Sequence, residues 1–237
     1  GNPSLKPVFI DHSVLGISFK QRYTVEAYYK INKNNIFELP IQSENETTNE
    51  VTLTHTPLNI NSSEEYGFDF ITFFDMTKKW AIYFVTSFYN IKDELDFSGT
   101  VLKRDMWSNY SVFSNDFIFL KDNSLTANFT LTYISDNIQG LQKVDTRVLT
   151  ELSLKKTVFN KKGVLSLSVS DLFNDHDFNV TTQFNTQNQN QNSRVFSNLD
   201  NRYIRAGFRY NFGNVKLSTN ERTPSVDERD RLNSSGH

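Results

Sequence analysis

Apolar residues recur at every second position along most of this chain, and the three-to-four-residue spacing of an amphipathic helix is hard to find in it. A period of two puts successive side chains on opposite faces of an extended strand, so the pattern predicts an all-β protein. The clearest run is residues 23–31, where Tyr23, Val25, Ala27, Tyr29 and Ile31 share one face and Thr24, Glu26, Tyr28 and Lys30 the other. Residues 125–133, 165–169 and 204–212 repeat it, and residues 9–19, 66–74, 80–89, 107–120 and 144–156 follow it less strictly. Nine strands are predicted, mostly about 9–14 residues long. That exceeds the ~5–6 residues usual in soluble sheets and matches the ~9–11 a tilted strand needs to cross a bilayer.

The predicted connections fall into two alternating classes. Residues 20–22, 76–79, 122–124 and 160–163 are short turns, whereas residues 32–65, 90–106, 135–143 and 174–201 are long polar segments. Short turns at one end and long loops at the other are the signature of an outer-membrane barrel, with periplasmic turns opposite extracellular loops. Within the long segments, residues 37–41 and 51–56 are expected to form a hairpin, and residues 178–184 to pair with 194–199. The Gln/Asn tract at 183–192 reads as a disordered loop tip.

Composition narrows the function. With no cysteine, disulfide frameworks, zinc ribbons and thiol nucleophiles are excluded. Lys and Arg number 25 against 27 Asp and Glu, a balance that argues against a nucleic-acid partner. Mean hydropathy is −0.51, and no stretch approaches the ~18 uninterrupted apolar residues a membrane helix requires, the nearest, residues 68–89, being interrupted by Asp75, Lys78 and Lys79. A barrel survives this test because it presents only alternate residues to lipid. The opening Gly1-Asn2-Pro3 is neither an initiator nor a signal peptide, so the chain is expected to be a piece of something longer.

Candidate sites follow from the strand faces. Arg205, Gly207, Tyr210 and Phe212 form a polar–Gly–aromatic–aromatic pattern on the last strand. It looks like the signal by which the outer-membrane assembly machinery recognises its substrates through an exposed strand edge. Glu26, Lys30, Asp69, Glu151, Lys155, Arg205 and Arg209 are expected to face the lumen, and Tyr23, Trp80, Trp107 and Tyr203 to anchor the membrane interfaces. Asp175-His176-Asp177 lacks further cation ligands at readable spacing, and Glu44, Glu46, Glu50, Glu64 and Glu65 read as a polar loop face. No residue is expected to do catalysis, and no cofactor or metal is expected. Residues 1–213 are assigned to the barrel. Residues 214–237, with four Lys or Arg and four Asp or Glu, are assigned to a neutral periplasmic tail.

The opening Gly1-Asn2-Pro3-Ser4-Leu5-Lys6-Pro7, the Ser-Val-Ser-Asp-Leu-Phe-Asn run at 168–174, and Asn201-Arg202-Tyr203-Ile204-Arg205 leading to Tyr210-Asn211-Phe212-Gly213 resemble TonB-dependent receptors. The likeness is greatest to the large-barrel receptors of Bacteroidota and spans nearly the whole chain. It implies the C-terminal part of a barrel of about 22 strands with a plug in its lumen. It also implies uptake of an unidentified nutrient, outer-membrane lipid around the wall, and an inner-membrane energy-coupling complex acting on the plug. The N-terminal barrel strands and plug, the barrel assembly machinery and a surface lipoprotein are the further partners it implies. The plug, the energy-coupling box and the first half of the barrel have no counterpart here. Strand parity agrees, since nine strands ending at the periplasm begin outside the cell. A stand-alone barrel of eight or ten strands, a non-transporting scaffold barrel and a soluble glycan-binding or adhesive β-sandwich are the alternatives. The sandwich would require the Tyr, Phe and Val faces to pack into a core.

Overall fold

In the computed structural model, which describes residues 2–45, 50–97, 99–186, 190–197 and 201–212, all nine predicted long strands are present and no helix forms among the described residues. They are β1 (Phe9–Phe19), β2 (Tyr23–Lys33), β5 (Ser62–Thr77), β6 (Trp80–Phe97), β7 (Thr100–Phe119), β8 (Leu125–Ile134), β11 (Arg147–Val158), β12 (Gly163–Ser170) and β15 (Tyr203–Tyr210). They pair in chain order as one antiparallel sheet, β1-β2-β5-β6-β7-β8-β11-β12-β15. The six remaining strands lie in the long connections. β3 (Ile36–Asn45) and β4 (Glu50–Asn59) form a two-stranded sheet. β9 (Asn137–Gln139), β10 (Gln142–Val144), β13 (Phe178–Asn185) and β14 (Asn190–Ser197) form another, ordered β14-β13-β10-β9.

The short connections are tight because register and turn geometry agree. Phe19 O accepts from Arg22 N at 3.1 Å with Lys20 and Gln21 at φ 52° and 53°, and Phe159 O accepts from Lys162 N at 3.0 Å with Asn160 and Lys161 at 51° and 71°. Two positive-φ central residues match the right-handed twist of flanking strands. All four short turns sit at one end of the sheet.

Three expectations change at the other end. Residues 90–106 are not a loop: β6 and β7 continue pairing up to Phe97↔Thr100 with β5 alongside as far as Ser62↔Glu94, so the segment extends the sheet and only its tip is two-stranded. Residues 135–143 contain β9 and part of β10. The Gln/Asn tract is mostly strand, paired Gln183↔Asn192, Phe184↔Gln191 and Asn185↔Asn190, because amide side chains leave the backbone ladder free to form and Gln191 is fully buried. The tail at 214–237 lies outside the described residues.

Gly67 shows how closely the central strands approach. It sits between Tyr28 and Tyr89 in the ladder, and a Cβ there would lie 2.6 Å from both Phe88 O and Tyr89 Cβ. At Gly16 a Cβ would meet only the flexible Glu26 side chain, at 3.2 Å. We predict that Gly67→Ala lowers unfolding stability by about 1–3 kcal/mol, through forced backbone shifts, while Gly16→Ala has a much smaller effect. Urea unfolding of the detergent-solubilised protein monitored by tryptophan fluorescence checks the difference.

Candidate functional site: an amphipathic wall and a packed cap

Cross-strand partners in an antiparallel pair lie on the same face, so the register sorts every wall residue. Glu26 faces Asp69, Lys30 faces Glu65, Glu151 faces Thr130 and Ser170, Lys155 faces Ser166, Arg205 faces Ser168 and Arg209 faces Val164. All seven charged residues expected on one face do share it. There Tyr28 Oη donates to Glu65 Oε1 at 2.9 Å, Lys30 lies 3.8 Å from Glu65, and Ser87 Oγ donates to Asp69. Further along, Asn128 Nδ2 donates to Ser114 Oγ and Asp116 Oδ1, each at 2.9 Å, and its own Oδ1 accepts from Thr130 at 3.0 Å. This face is a hydrogen-bonded polar carpet.

The opposite face is apolar and uncovered. Phe68 is 58% exposed and Leu15 75%, with Phe88, Phe113, Leu165 and Phe208 similarly open, so nothing in the described residues packs against them. A soluble sandwich would bury these side chains against a second layer, and none is present. Several polar groups on this face satisfy one another, though the buried Thr72 and Thr150 hydroxyls have no partner among the described residues: Thr86 and Ser111 hydroxyls are 2.7 Å apart, Asn109 Nδ2 donates to Thr86 Oγ1 at 3.0 Å and Ser87 O at 2.9 Å, and Trp80 Nε1 donates to Asn115 Oδ1 at 3.1 Å. Mutual satisfaction is what a lipid-exposed surface favours.

Aromatic rings bracket the band. At the short-turn end Trp80 stacks on Phe117 at 5.7 Å, and at the other end Trp107 stacks on Phe88 at 4.9 Å and meets Tyr66 edge-on at 5.6 Å. Trp80 and Asn90, the cross-strand partner of Trp107, are ten residues apart on β6. At about 3.3 Å per residue and a strand tilt of ~40°, that projects to about 25 Å, the height of an outer-membrane apolar band. Tyr23, Trp80 and Trp107 lie on the apolar face. Tyr203 does not: its register with Ser170 puts it on the polar face, where the Arg205 guanidinium lies 5.4 Å from its ring centre. The alternation of residues 204–212 carries Arg205 and Tyr203 together, which decides the matter.

Beyond Trp107 the alternation continues but its sense inverts. Glu64, Lys92, Glu94, Lys103 and Asp105 now occupy the formerly apolar face, with Lys103–Glu94 at 2.8 Å and Lys92–Asp105 at 3.8 Å. Leu95, Phe97 and Leu102 occupy the formerly polar one. Against them pack Leu39 of β3, Ile60, Leu141 from the β9–β10 turn and Phe184 of β13, with Phe97 and Phe184 rings edge-to-face at 5.5 Å. The long connections therefore fold inward into a cap with its own core. Sequence reading missed this cap; the phase inversion at Asn90, Ile91, Asp93 and Leu95 was the available signal.

Polar contacts lock the cap to the wall. Asp93, 3% exposed, accepts from Gly140 N at 2.8 Å, and Arg104 donates to Gln183 O. Gly140 has φ +62° and a Cβ there would press on Phe37 at 3.2 Å, so both backbone and neighbour favour glycine. Burial pushes the Asp93 carboxyl up and nearby Glu65 adds to this, against the lowering effect of Ser63 and the Gly140 N–H.

The remaining expected features disperse. Glu64 and Glu65 are strand residues on opposite faces, and Glu46 lies outside the described residues. His176 borders a concavity of about 340 Å³ that also includes Glu151 and Tyr203, and Asn201 Nδ2 donates to its carbonyl at 3.2 Å. In the Ser168–Asn174 run, Asp171 Oδ1 accepts from Asp175 N at 3.0 Å, closing an Asx-type turn at the end of β12. On the last strand Gly207 lies against Ser166, where a Cβ would come within 2.7 Å of its Oγ, and Tyr210 and Phe212 rings are 4.7 Å apart. Arg205 is on the polar face, as given above. The outer edge of β15 pairs with no described strand.

A model of the outer membrane protein β-barrel family matches residues 1–210. No curated protein and no solved structure matches.

Two predictions follow from the cap. Leu39→Ala or Leu141→Ala should destabilise it by about 2–5 kcal/mol. Hydrogen exchange should then accelerate in β9, β10 and β13 and stay unchanged in β8. Because the folded Asp93 pKa is raised above the ~3.9 of an unfolded aspartate, its contribution is fully present below that value and lost as pH rises through the raised one. Protection of the cap amides should fall across that window, and Asp93→Asn, which keeps an acceptor for Gly140 N–H, should flatten the profile.

Proposed function

This chain belongs to the outer membrane protein β-barrel family, and from that premise we propose that it builds the last nine strands of a larger solute-transporting barrel of the TonB-dependent receptor type. The observation that carries the reading is strand parity. Nine strands in an antiparallel meander leave β1 and β15 parallel to each other and unpaired among the described strands. Antiparallel closure then needs an odd number of further strands, which gives the even total usual in bacterial barrels. A second copy in the same orientation cannot supply it, because β1 of one copy and β15 of another are also parallel.

In this reading the short turns face the periplasm and the cap faces outside. The polar face, with Glu26, Lys30, Asp69, Glu151, Lys155, Arg205 and Arg209, lines a lumen filled by a plug. Tyr23, Trp80 and Trp107 sit at the lipid interfaces. Arg205, Gly207, Tyr210 and Phe212 present β15 to the assembly machinery. The inner-membrane energy-coupling complex works through the plug, and a surface lipoprotein meets the cap. The inward fold of the cap supports a second reading, a scaffold barrel of the same wall that no longer transports.

Residues 1–237 hold no cysteine, so single cysteines placed in this segment are read against the unsubstituted parent protein as the blank. In whole cells a membrane-impermeant thiol reagent should label Val101→Cys in the cap and not Asn123→Cys in a turn. In the detergent-solubilised protein it should label Arg205→Cys, and Phe68→Cys should stay protected by the detergent belt. An antibody to residues 125–134 should detect a polypeptide roughly three times this chain's mass in outer-membrane fractions. A band at 27.5 kDa would sink the larger barrel, and an inverted labelling pattern would sink the orientation.

A further inference from the structure

The chain as a whole carries a formal charge of −2, yet its charges are sorted by end. The four short connections hold Lys20, Arg22, Lys78, Lys79, Lys121, Lys161 and Lys162, seven cations against the single carboxylate of Asp122. All six ion pairs among the described residues lie toward the opposite end, in or just beneath the cap, and none involves a turn cation. Asp122 is already engaged by Ser124, through its amide at 3.2 Å and its hydroxyl at 2.8 Å. The turn cations are therefore exposed, and among the described residues none of them makes an ion pair.

Their placement relative to the apolar band matters more than their number. Lys20 Nζ lies 5.1 Å from the ring centre of Phe19, one residue beyond the wall, and Lys79 Nζ donates to Leu120 O at 2.5 Å across two neighbouring turns. Lys156 belongs to the apolar face, opposite Leu125 and Leu165, and its Nζ reaches the turn to donate to Ser124 Oγ at 2.5 Å. A lysine whose stem runs along an apolar surface while its ammonium reaches the rim is snorkelling. Between the third and fourth turns and the end of β15 lies an open concavity of about 680 Å³, bordered by Asp122, Ser124, Lys156, Lys161, Arg209 and Asn211. Arg209 enters it from the polar face and Asp122 brings one carboxylate, so Lys156 and Lys161 are the cations it offers at the rim.

We propose that this rim is a binding surface for the anionic headgroups of phospholipids in the periplasmic leaflet, with Lys156 on the apolar face and the turn lysines as its contacts. The proposal rests on the reading that the short turns face the periplasm. Juxtamembrane cations attract anionic lipid additively, and the attraction is screened within a Debye length. A rim of this kind holds the barrel at a fixed depth and tilts lipid composition around it.

The test uses the full parent protein extracted from outer membranes and exchanged into nanodiscs of phosphatidylcholine with one-fifth phosphatidylglycerol. Lipids retained after transfer to mild detergent are counted by mass spectrometry. At low salt phosphatidylglycerol should be enriched several-fold over its input ratio, falling to the input ratio in molar salt. The Lys78→Gln, Lys79→Gln, Lys161→Gln, Lys162→Gln variant should lose the enrichment, and the corresponding Lys→Arg variant should keep it. Lys92→Gln with Lys103→Gln, at the other end, should leave it unchanged. Equal retention in the Gln variant and the parent overturns the proposal, as does enrichment of lipopolysaccharide in its place. If the Gln variant does not fold, the salt dependence in the parent decides alone. Whole-cell labelling at Asn123→Cys separates the failures: reaction from outside overturns the orientation itself, whereas protection without enrichment overturns only the rim.

Discussion

With no second layer among the described residues against the apolar face, every backbone N–H and C=O of the wall must be satisfied by a neighbouring strand, and a polar side chain on that face is stabilised by a partner beside it. The rest of the structure follows from this. It explains why each wall strand from β1 to β15 is paired with its neighbour, with a register shift at Asp75–Thr77 beside a turn, and why Asn109, Thr86 and Ser111 form a closed hydrogen-bonded group among Phe84, Phe88 and Phe113. It also explains why Trp80 turns its indole N–H onto Asn115. In a water-soluble sheet none of these groups would need an internal partner.

The same constraint relocates the hydrophobic core. In a soluble domain, burial of apolar surface holds the layers together; here the fully buried apolar side chains, Leu39, Ile60, Leu141 and Val144, lie outside the band. The inversion of the strand faces near Trp107 is the device that makes this possible. Below it the outward face meets lipid, and above it water touches both sides, so Glu94, Lys103 and Asp105 turn outward and Leu95 and Leu102 turn in. The long connections gain a surface to condense on, and Asp93, bonded to Gly140, ties that surface to the wall.

Charge is distributed by the same geometry. Acidic and basic side chains are paired in and beneath the cap, at Lys103–Glu94, Arg194–Asp145 and Lys143–Asp136, with their charged ends largely in solvent. At the turns, where side chains reach past the band, the cations make no ion pair among the described residues. Two ends of one sheet thus present different chemistry to the two sides of a membrane, and a balanced overall composition hides it.

The wall was legible from sequence because its period-two signal is local: Tyr23 to Ile31 and Leu125 to Tyr133 announce their faces residue by residue, and short turns between them fix the order of pairing. Seven charged residues fell on one face for the same reason. Tyr203 was misassigned because nearness to a strand end says nothing about face, which only the register with Ser170 decides. The cap was hidden because its core joins Leu39, Leu95, Leu141 and Phe184, residues far apart in the chain whose contacts no local pattern encodes. Sequence alone determined the membrane-spanning sheet, since the period of a strand is written in consecutive side chains. Tertiary structure alone decided where the apolar core lies and which charges are paired, since burial and pairing depend on what the folded chain brings alongside.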